Sequence, residues 1–382
     1  MILTVQSTTF SAYGGIPTYN RLVCRVLDEI SNAGECHLLI ATDKTSDIEE
    51  PAREFPHVRF QAFSQNRVTL ILEFFRMGLT QGVDLALLGH VNYAPLGWFL
   101  KKLKPQSRYG VMLYGVDAWR RLPWLKRRAL QQADFLISIS DYTKQKAVEA
   151  NALTATSTYL LPNALETILV EPPPTAAQIL LGGGINLLSV CRLEETERYK
   201  GVDKVIEILP KLSRSVPDIQ YVVVGGGTDL ERHKRLAEKH GVAERVHFLG
   251  VLSNRDLLAC YRHCDVFVMP SAGEGFGFVF LEAMKYGKPV VAANSGGAPE
   301  VIQDGITGQL VDYGNQEQLI QAITDLCLDL AKRERMGRAG YERVQANFTF
   351  PQFKEKLSAI LLQELSSVSS HKSSSIAPLE SR

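Results

Sequence analysis

Short apolar runs alternate along this chain with longer segments in which apolar residues recur every three to four positions. The first pattern is that of strands buried on both faces, the second that of amphipathic helices packed on a sheet. Their alternation predicts βα units and parallel sheets, an α/β fold class. In the first half strands are predicted near 2–6, 37–41, 58–63, 84–89, 108–113, 135–140 and 158–161. A helix over 16–30 follows from the spacing of Ile16, Tyr19, Val23, Val26, Leu27 and Ile30. In the second half strands are predicted near 185–190, 220–224, 245–249, 265–269, 289–292 and 309–312, with helices over 203–213 and 228–240 between them.

The pattern is interrupted once. Pro172-Pro173-Pro174 cannot sit inside a helix or a central strand, and Gly182-Gly183-Gly184 is permissive, so 166–184 reads as a linker. It separates a first domain, 1–165, from a second, 185–345. The stretch 346–365 predicts a helix returning to the first domain. From Ser366 the chain is Ser-rich and free of aromatics, and 366–382 is predicted to be disordered. Two α/β domains of similar size joined by a linker imply a cleft, and open α/β sheets bind ligands at the carboxyl ends of their strands.

Composition narrows the class. The 382 residues suit two domains, and 45% apolar with 22% charged residues excludes a disordered or fibrous chain. A net charge of +1 argues against a nucleic-acid binder. No run reaches the length of a membrane span, the longest being broken at Glu73, and MILTVQS reads as a first strand rather than a secretory signal. Six cysteines make no disulfide scaffold. Cys260, His263 and Cys264 invite a metal reading, but no second ligand pair follows, and both cysteines fit the buried face of one helix. A reduced, cytoplasmic protein is expected.

Candidate chemistry concentrates in the second half. Pro270-Ser271-Ala272-Gly273-Glu274-Gly275-Phe276-Gly277 follows the strand DVFVM and leads into the helix FVFLEAMKYG. Its glycines let backbone N–H groups approach a ligand, and the helix N-terminus adds positive potential, which together make an anion site suited to phosphate. Glu274 can accept hydrogen bonds from sugar hydroxyls or merely cap the helix; Glu282 lies about two turns in. Arg192 follows the strand INLLSV, and Lys200 precedes Gly201 and a helix. Two cations there suit a diphosphate that gains charge as it leaves. Gly225-Gly226-Gly227 lacks the full dinucleotide spacing and fits a tight strand-to-helix turn equally well. Ser295-Gly296-Gly297-Ala298-Pro299-Glu300 offers a further backbone nest.

Arg192, Lys200-Gly201, Glu274-Gly-Phe-Gly with Glu282 eight residues on, and GKPVVAANSGGAPEVIQDGITGQLV together resemble the family-4 (group 1) retaining glycosyltransferases of GT-B fold. The likeness is nearly continuous from about 185 to 345. It is looser in the first half, where Gly14-Gly15, SISDYTKQK and Leu160-Leu161-Pro162-Asn163 carry it. The resemblance implies two Rossmann-like domains with parallel sheets facing across a cleft. It implies a nucleotide-diphosphate-sugar donor on the second domain, a glycan or lipid-linked acceptor, and no metal or other cofactor. Arg192 and Lys200 would hold the diphosphate, and Glu274 with Gly275, Phe276 and Gly277 the donor sugar. Glu282 would hold the ribose, with Gly14 and Gly15 across the cleft. The family's His after the strand at 108–113 is replaced by Tyr114. His90, at the end of the preceding strand, and Asp117, which could stabilise positive charge at the anomeric carbon, are the catalytic candidates from the first domain. A nucleotide-sugar epimerase of the same fold and a non-catalytic sugar-nucleotide binder stay open beside the transferase.

The charge is uneven. Residues 1–165 carry +4 and the remainder −3. All three tryptophans, Trp98, Trp119 and Trp124, lie in 98–128 with nine Lys or Arg and a single acid, Asp117. Tryptophan beside cations suits the headgroup level of an anionic membrane. The expectation is peripheral attachment to the inner face of a membrane through 98–128, set against two solvated helix faces with the tryptophans in the core.

Overall fold

The computed structural model describes residues 1–12, 14–153, 156–166 and 184–374, the last seven of these by backbone only. The strands are β1 Ile2–Gln6, β2 Cys36–Ile40, β3 Val58–Ala62, β4 Leu85–Leu88, β5 Arg108–Leu113, β6 Phe135–Ser138 and β7 Ser157–Leu160. They continue with β8 Ile185–Val190, β9 Ile219–Val224, β10 Val246–Gly250, β11 Val266–Met269, β12 Val290–Ala293 and β13 Gly308–Val311. Every central run is buried because helices cover both sheet faces; β4, β6, β11 and β12 are buried throughout. The helices that matter below are α1 Gly15–Ile30, α2 Arg67–Thr80, α3 Ala94–Leu103 and α4 Trp124–Gln131. In the second half they are α5 Val202–Ser215, α6 Asn254–His263, α7 Phe278–Lys285 and, last, α8 Phe350–Ser374.

Two compact units result: Met1–Ala164 with the helix from Phe350, and Leu165–Thr349. The first holds a seven-stranded sheet in the order β3-β2-β1-β4-β5-β6-β7, the second a six-stranded sheet in the order β10-β9-β8-β11-β12-β13. All pairings in both are parallel. In each unit the strand order reverses beside the first strand. The switch points lie between β1 and β4 and between β8 and β11, where the loops leaving the strands diverge and ligands bind in open α/β sheets.

Helix α8 belongs to the first unit. Phe353 packs edge-on against Tyr19 of α1, Lys354 Nζ pairs with Glu29 at 2.5 Å, and the buried Glu364 takes Arg108 and the Tyr159 hydroxyl. The helix continues past Ser366, where composition predicts disorder, to Ser374. The hydroxyls of Ser366 and Ser367 donate back to Gln363 O, which lets serines ride a helix anchored upstream by packing. Residues 346–347, read as the start of this helix, end the preceding one at Asn347. The linker prolines and the remainder of the tail lie outside the described residues.

Candidate active site

In the second unit the two switch-point loops are stitched together. A 3-10 turn over Glu195–Lys200 ends at Gly201 with φ 80°. A Cβ on Gly201 would stand 2.5 Å from Pro270 O, so only glycine lets the first loop lie against the second. Ala272 N donates to Tyr199 O at 2.8 Å across the same seam. Lys200 and Glu274 consequently meet as an ion pair, both largely buried. Burial pulls the Lys200 ammonium down, but the Glu274 carboxylate pushes harder and holds it above the usual lysine range. Arg192, Glu197, Lys200, Gly201 and His233 line one pocket. The Arg192 guanidinium is 71% exposed and pairs with Glu197.

The loop carrying Glu274 rests on 295–297. A Cβ on Gly296 would meet Glu274 O at 2.3 Å and one on Gly297 would meet Gly275 O at the same distance. Gly297 N donates to Glu274 O at 2.8 Å and Ser295 Oγ to Ala272 O at 2.7 Å. The Gly297 amide, read from sequence as part of an anion nest, therefore shapes the Glu274 loop. The Gly225–Gly227 turn acts likewise: Cβ atoms on Gly225 and Gly227 would lie 1.9 and 2.3 Å from Cys191 O and Leu193 O. Gly277 caps α7 in the left-handed region, leaving the helix N-terminus facing the Glu274 loop. Phe276 is buried with its ring 5.6 Å from Phe348, so its backbone alone is available to a ligand.

Glu282 sits in the second turn of α7, and its carboxylate accepts a 2.6 Å hydrogen bond from the Tyr261 hydroxyl of α6. Burial pushes Glu282 upward, offset by that bond and by Lys285. Tyr261 was not singled out from the sequence; its only signal was an aromatic on the buried face of a helix. Cys260 and Cys264 are buried, and burial raises their thiols to about 11 and about 12. The Cys264 thiol donates to Tyr261 O. Among the described residues no group of three or more His, Cys, Asp or Glu stands together as a metal site.

In the first unit Gly14 caps α1 at φ 132° and Gly15 begins the helix. The loop before them is wound around one buried carboxylate that sequence reading missed. Asp43 accepts from Thr8 Oγ1 at 2.9 Å, Thr9 N at 3.2 Å, Phe10 N at 2.8 Å and Ser11 Oγ at 2.6 Å. Asn20 fastens the other side, donating to Thr8 O at 2.7 Å. Its side-chain oxygen accepts the Tyr114 hydroxyl at 2.8 Å, and the Tyr114 ring packs edge-on against Tyr19. Tyr114 is thus a core residue clamping β5 to α1.

His90 ends β4 at the switch point. Its Nδ1 accepts from Asn92 N at 3.1 Å, which leaves the proton on Nε2, 3.8 Å from Asp117 Oδ2. Burial, helped by nearby Lys126, lowers His90 to about 4; burial raises Asp117 to about 7. Asp117 Oδ2 has no hydrogen-bond partner. The structure therefore brings these two candidates together as a desolvated pair of a neutral imidazole and a carboxyl poised near neutrality.

The family model of the glycosyl transferases group 1 matches residues 183–343. A GDP-mannose-dependent alpha-(1-6)-phosphatidylinositol monomannoside mannosyltransferase of Mycobacterium tuberculosis is 35% identical over 276 residues, 68% of this chain and 71% of that protein. This chain belongs to the group 1 glycosyltransferases. A protein of the same description from Mycolicibacterium smegmatis shares 38% identity over 235 residues, 58% of this glycosyltransferase and 61% of its own length. Among solved structures, HepE of Anabaena in complex with UDP matches with a TM-score of 0.75 at 18% identity, over 95% of this chain and 99% of that one. Sucrose-phosphate synthase of Thermosynechococcus elongatus matches with 0.77 at 22%, over 96% and 99%. At these identities the likeness is one of fold, and the fold is GT-B. The family's activity is glycosyl transfer, which sets aside the epimerase and non-catalytic readings.

Proposed function

We propose that this group 1 glycosyltransferase moves mannose from GDP-mannose to a hydroxyl of a lipid-linked saccharide, with retention of anomeric configuration and without a metal. The Lys200–Glu274 pair beside the α7 N-terminus carries the reading. A cation held charged by its carboxylate, next to a helix N-terminus, is what a departing nucleoside diphosphate requires. The donor and the lipid acceptor rest on the mycobacterial relatives, whose names specify both.

The C–O bond between the anomeric carbon and the diphosphate breaks, and the acceptor oxygen bonds to that carbon on the same face. The acceptor proton passes to the leaving phosphate oxygen. Arg192, Lys200 and the α7 N-terminus take up the charge developing on the diphosphate, Glu274 and the backbone after it orient the sugar, and Glu282 reaches the ribose. Gly14 and Gly15 let a backbone approach the diphosphate. Asp117 when ionised, with His90 beside it, has the charge to stabilise a positive anomeric carbon.

The acceptor side docks on an anionic membrane through 98–128. Trp124 there is 64% exposed, whereas Trp119 donates to Thr143 Oγ1 and Trp98 is half-buried against Trp124. Lys102, Arg120, Arg121 and Arg128 are exposed. Lys101 and Arg108 pair with Asp134 and Glu364 inside the unit, which shortens the basic set read from sequence. Among the described residues no helix is long and apolar enough to cross a membrane.

Thermal denaturation with GDP, UDP, ADP, CDP and TDP tests the donor. A ligand at about 100 times its Kd stabilises by about 2.7 kcal/mol. GDP is expected to shift the midpoint alone, followed by transfer of labelled mannose to a phosphatidylinositol mannoside. A shift with another base, or with none, would overturn the donor assignment.

A further inference from the structure

Helix α2 is apolar on two faces. Leu70, Phe74 and Met77 point into the core. Val68, Ile71, Leu72 and Leu79 point outward, 68%, 41%, 66% and 50% exposed, with Phe75 half-buried between them. Positions 68, 71, 72, 75 and 79 recur at helical spacing, so they form one stripe about 16 Å long. Its neighbours continue it. A Cβ on Gly78 would lie 2.6 Å from Leu100, so α2 and α3 touch closely, and Lys104 Nζ donates to Gly78 O at 3.3 Å. On α3, Phe99 and Leu103 are 44% and 62% exposed, and α3 packs in turn on α4, which carries the exposed Trp124. Right-handed crossovers place these three consecutive helices on one face of the sheet, so their outer sides form a single surface.

We propose that the α2 stripe is the element of this surface that enters the hydrocarbon edge of an anionic bilayer, with α3 and α4 supplying the cations that hold it there. The proposal deepens the membrane-docking reading above and rests on it. It moves the apolar contact out of 98–128 to the helix that carries the apolar run broken at Glu73. Charge selects the occupant. Lys102 and Arg128 stand exposed on α3 and α4, Arg120 and Arg121 on the segment between β5 and α4, and Arg67 opens α2. A second copy of the chain would set these cations against their own images across a twofold, whereas anionic headgroups neutralise them. The charged pair on α2 itself, Glu73 with Arg76, is internally satisfied at 2.6 Å and lies beside the stripe. A helix with one face in the core and an aliphatic face outward lies in the plane of an interface.

The test is sedimentation of the full chain with phosphatidylcholine vesicles containing or lacking phosphatidylglycerol, at low and high salt. The variants are Ile71→Asn with Leu72→Asn, and Lys102→Gln with Arg128→Gln. All four sites are exposed, and unchanged thermal midpoints confirm folding. The expected result is binding by the parent chain to anionic vesicles. The α2 variant loses at least about tenfold in partition at either salt. The cation variant loses chiefly the salt-sensitive part. Leu72→Trp should move its emission to the blue on binding and be quenched by brominated acyl chains. If the parent binds and the α2 variant binds equally well, the stripe assignment falls while docking through 98–128 stands. If the parent binds no vesicle, both fall. A concentration-dependent dimer that the α2 variant dissolves would give the stripe to a second copy and overturn the proposal.

Discussion

The two units share a strand order up to the sixth strand and carry their candidate site residues at the same topological point, yet they treat charge in opposite ways. At the β8/β11 switch point charge is paired: Lys200 with Glu274, Arg192 with Glu197, and Arg198 and Arg232 around Asp229. Burial works against the Asp229 carboxylate, but its two guanidinium partners hold it down to about 2. At the β1/β4 switch point charge is suppressed instead, His90 being neutral and Asp117 half-ionised near neutral pH. The difference teaches that topology fixes where a site lies, while local desolvation and pairing decide what it does. In the second unit the Glu274 carboxylate keeps Lys200 charged despite its burial. In the first unit desolvation works against the charged forms of Asp117 and His90 alike.

The comparison breaks most severely at Lys200. Lys200→Ala leaves Glu274 buried without its cation and, on the mechanism proposed above, removes a contact to the leaving group. Turnover should fall about 100- to 1,000-fold, roughly 3–4 kcal/mol of transition-state stabilisation, read as initial rates of mannose transfer. A loss below tenfold would detach the pair from the chemistry. Next comes Asp43→Ala, which strips the loop before Gly14 of its shared acceptor. The thermal midpoint should drop by the equivalent of about 2–4 kcal/mol, several charge-assisted hydrogen bonds being lost at once. GDP binding by the second unit should survive at a temperature where the chain is folded.

Asp117 sharpens the contrast through pH. A carboxyl raised from its ordinary range to about 7 favours the fold below the unfolded value and loses that contribution as pH rises to 7. His90, lowered to about 4, acts oppositely, losing its contribution as pH falls from about 6.5 to 4. The two largely cancel between pH 4 and 6.5. Asp117→Asn should therefore stabilise the chain at pH 8, on the order of 1–3 kcal/mol, and little at pH 4. If Asp117 acts ionised in the transfer, the parent chain should gain rate through pH 7 and Asp117→Asn should abolish that rise. The smallest effect is expected of Tyr114→Phe. Its hydroxyl serves Asn20 in the core, so about 1 kcal/mol of stability should go, read by denaturant titration, with kcat nearly unchanged.

What could be read beforehand divides along the same line as the two units. In the second, Arg192, Lys200, Glu274 and the glycines around them lie within two strand-exit loops, and each glycine marks a close backbone approach that the structure then displays. In the first, Gly14 and His90 were visible as strand-exit residues, but the groups that organise them were not. Asp43 follows a different strand, and Asn20 and Tyr114 are 94 residues apart. The position given to Tyr114 by resemblance suggested a cleft residue. Packing against Tyr19 makes it part of the core. A single buried acceptor for four loop donors has no periodic signature, so Asp43 looked like any loop aspartate.

The sequence alone determined that this chain makes parallel sheets, where the strands run, which glycine-rich loops leave them and which family it belongs to. These are local properties: apolar runs, helical spacing and glycines at strand exits. Only the tertiary structure decided which cations are paired inside and which face outward, that Glu282 is held by Tyr261, that His90 meets Asp117, and that α2 leaves an aliphatic stripe uncovered. Those depend on burial and on partners distant in sequence, and desolvation is set by whatever the folded chain brings alongside.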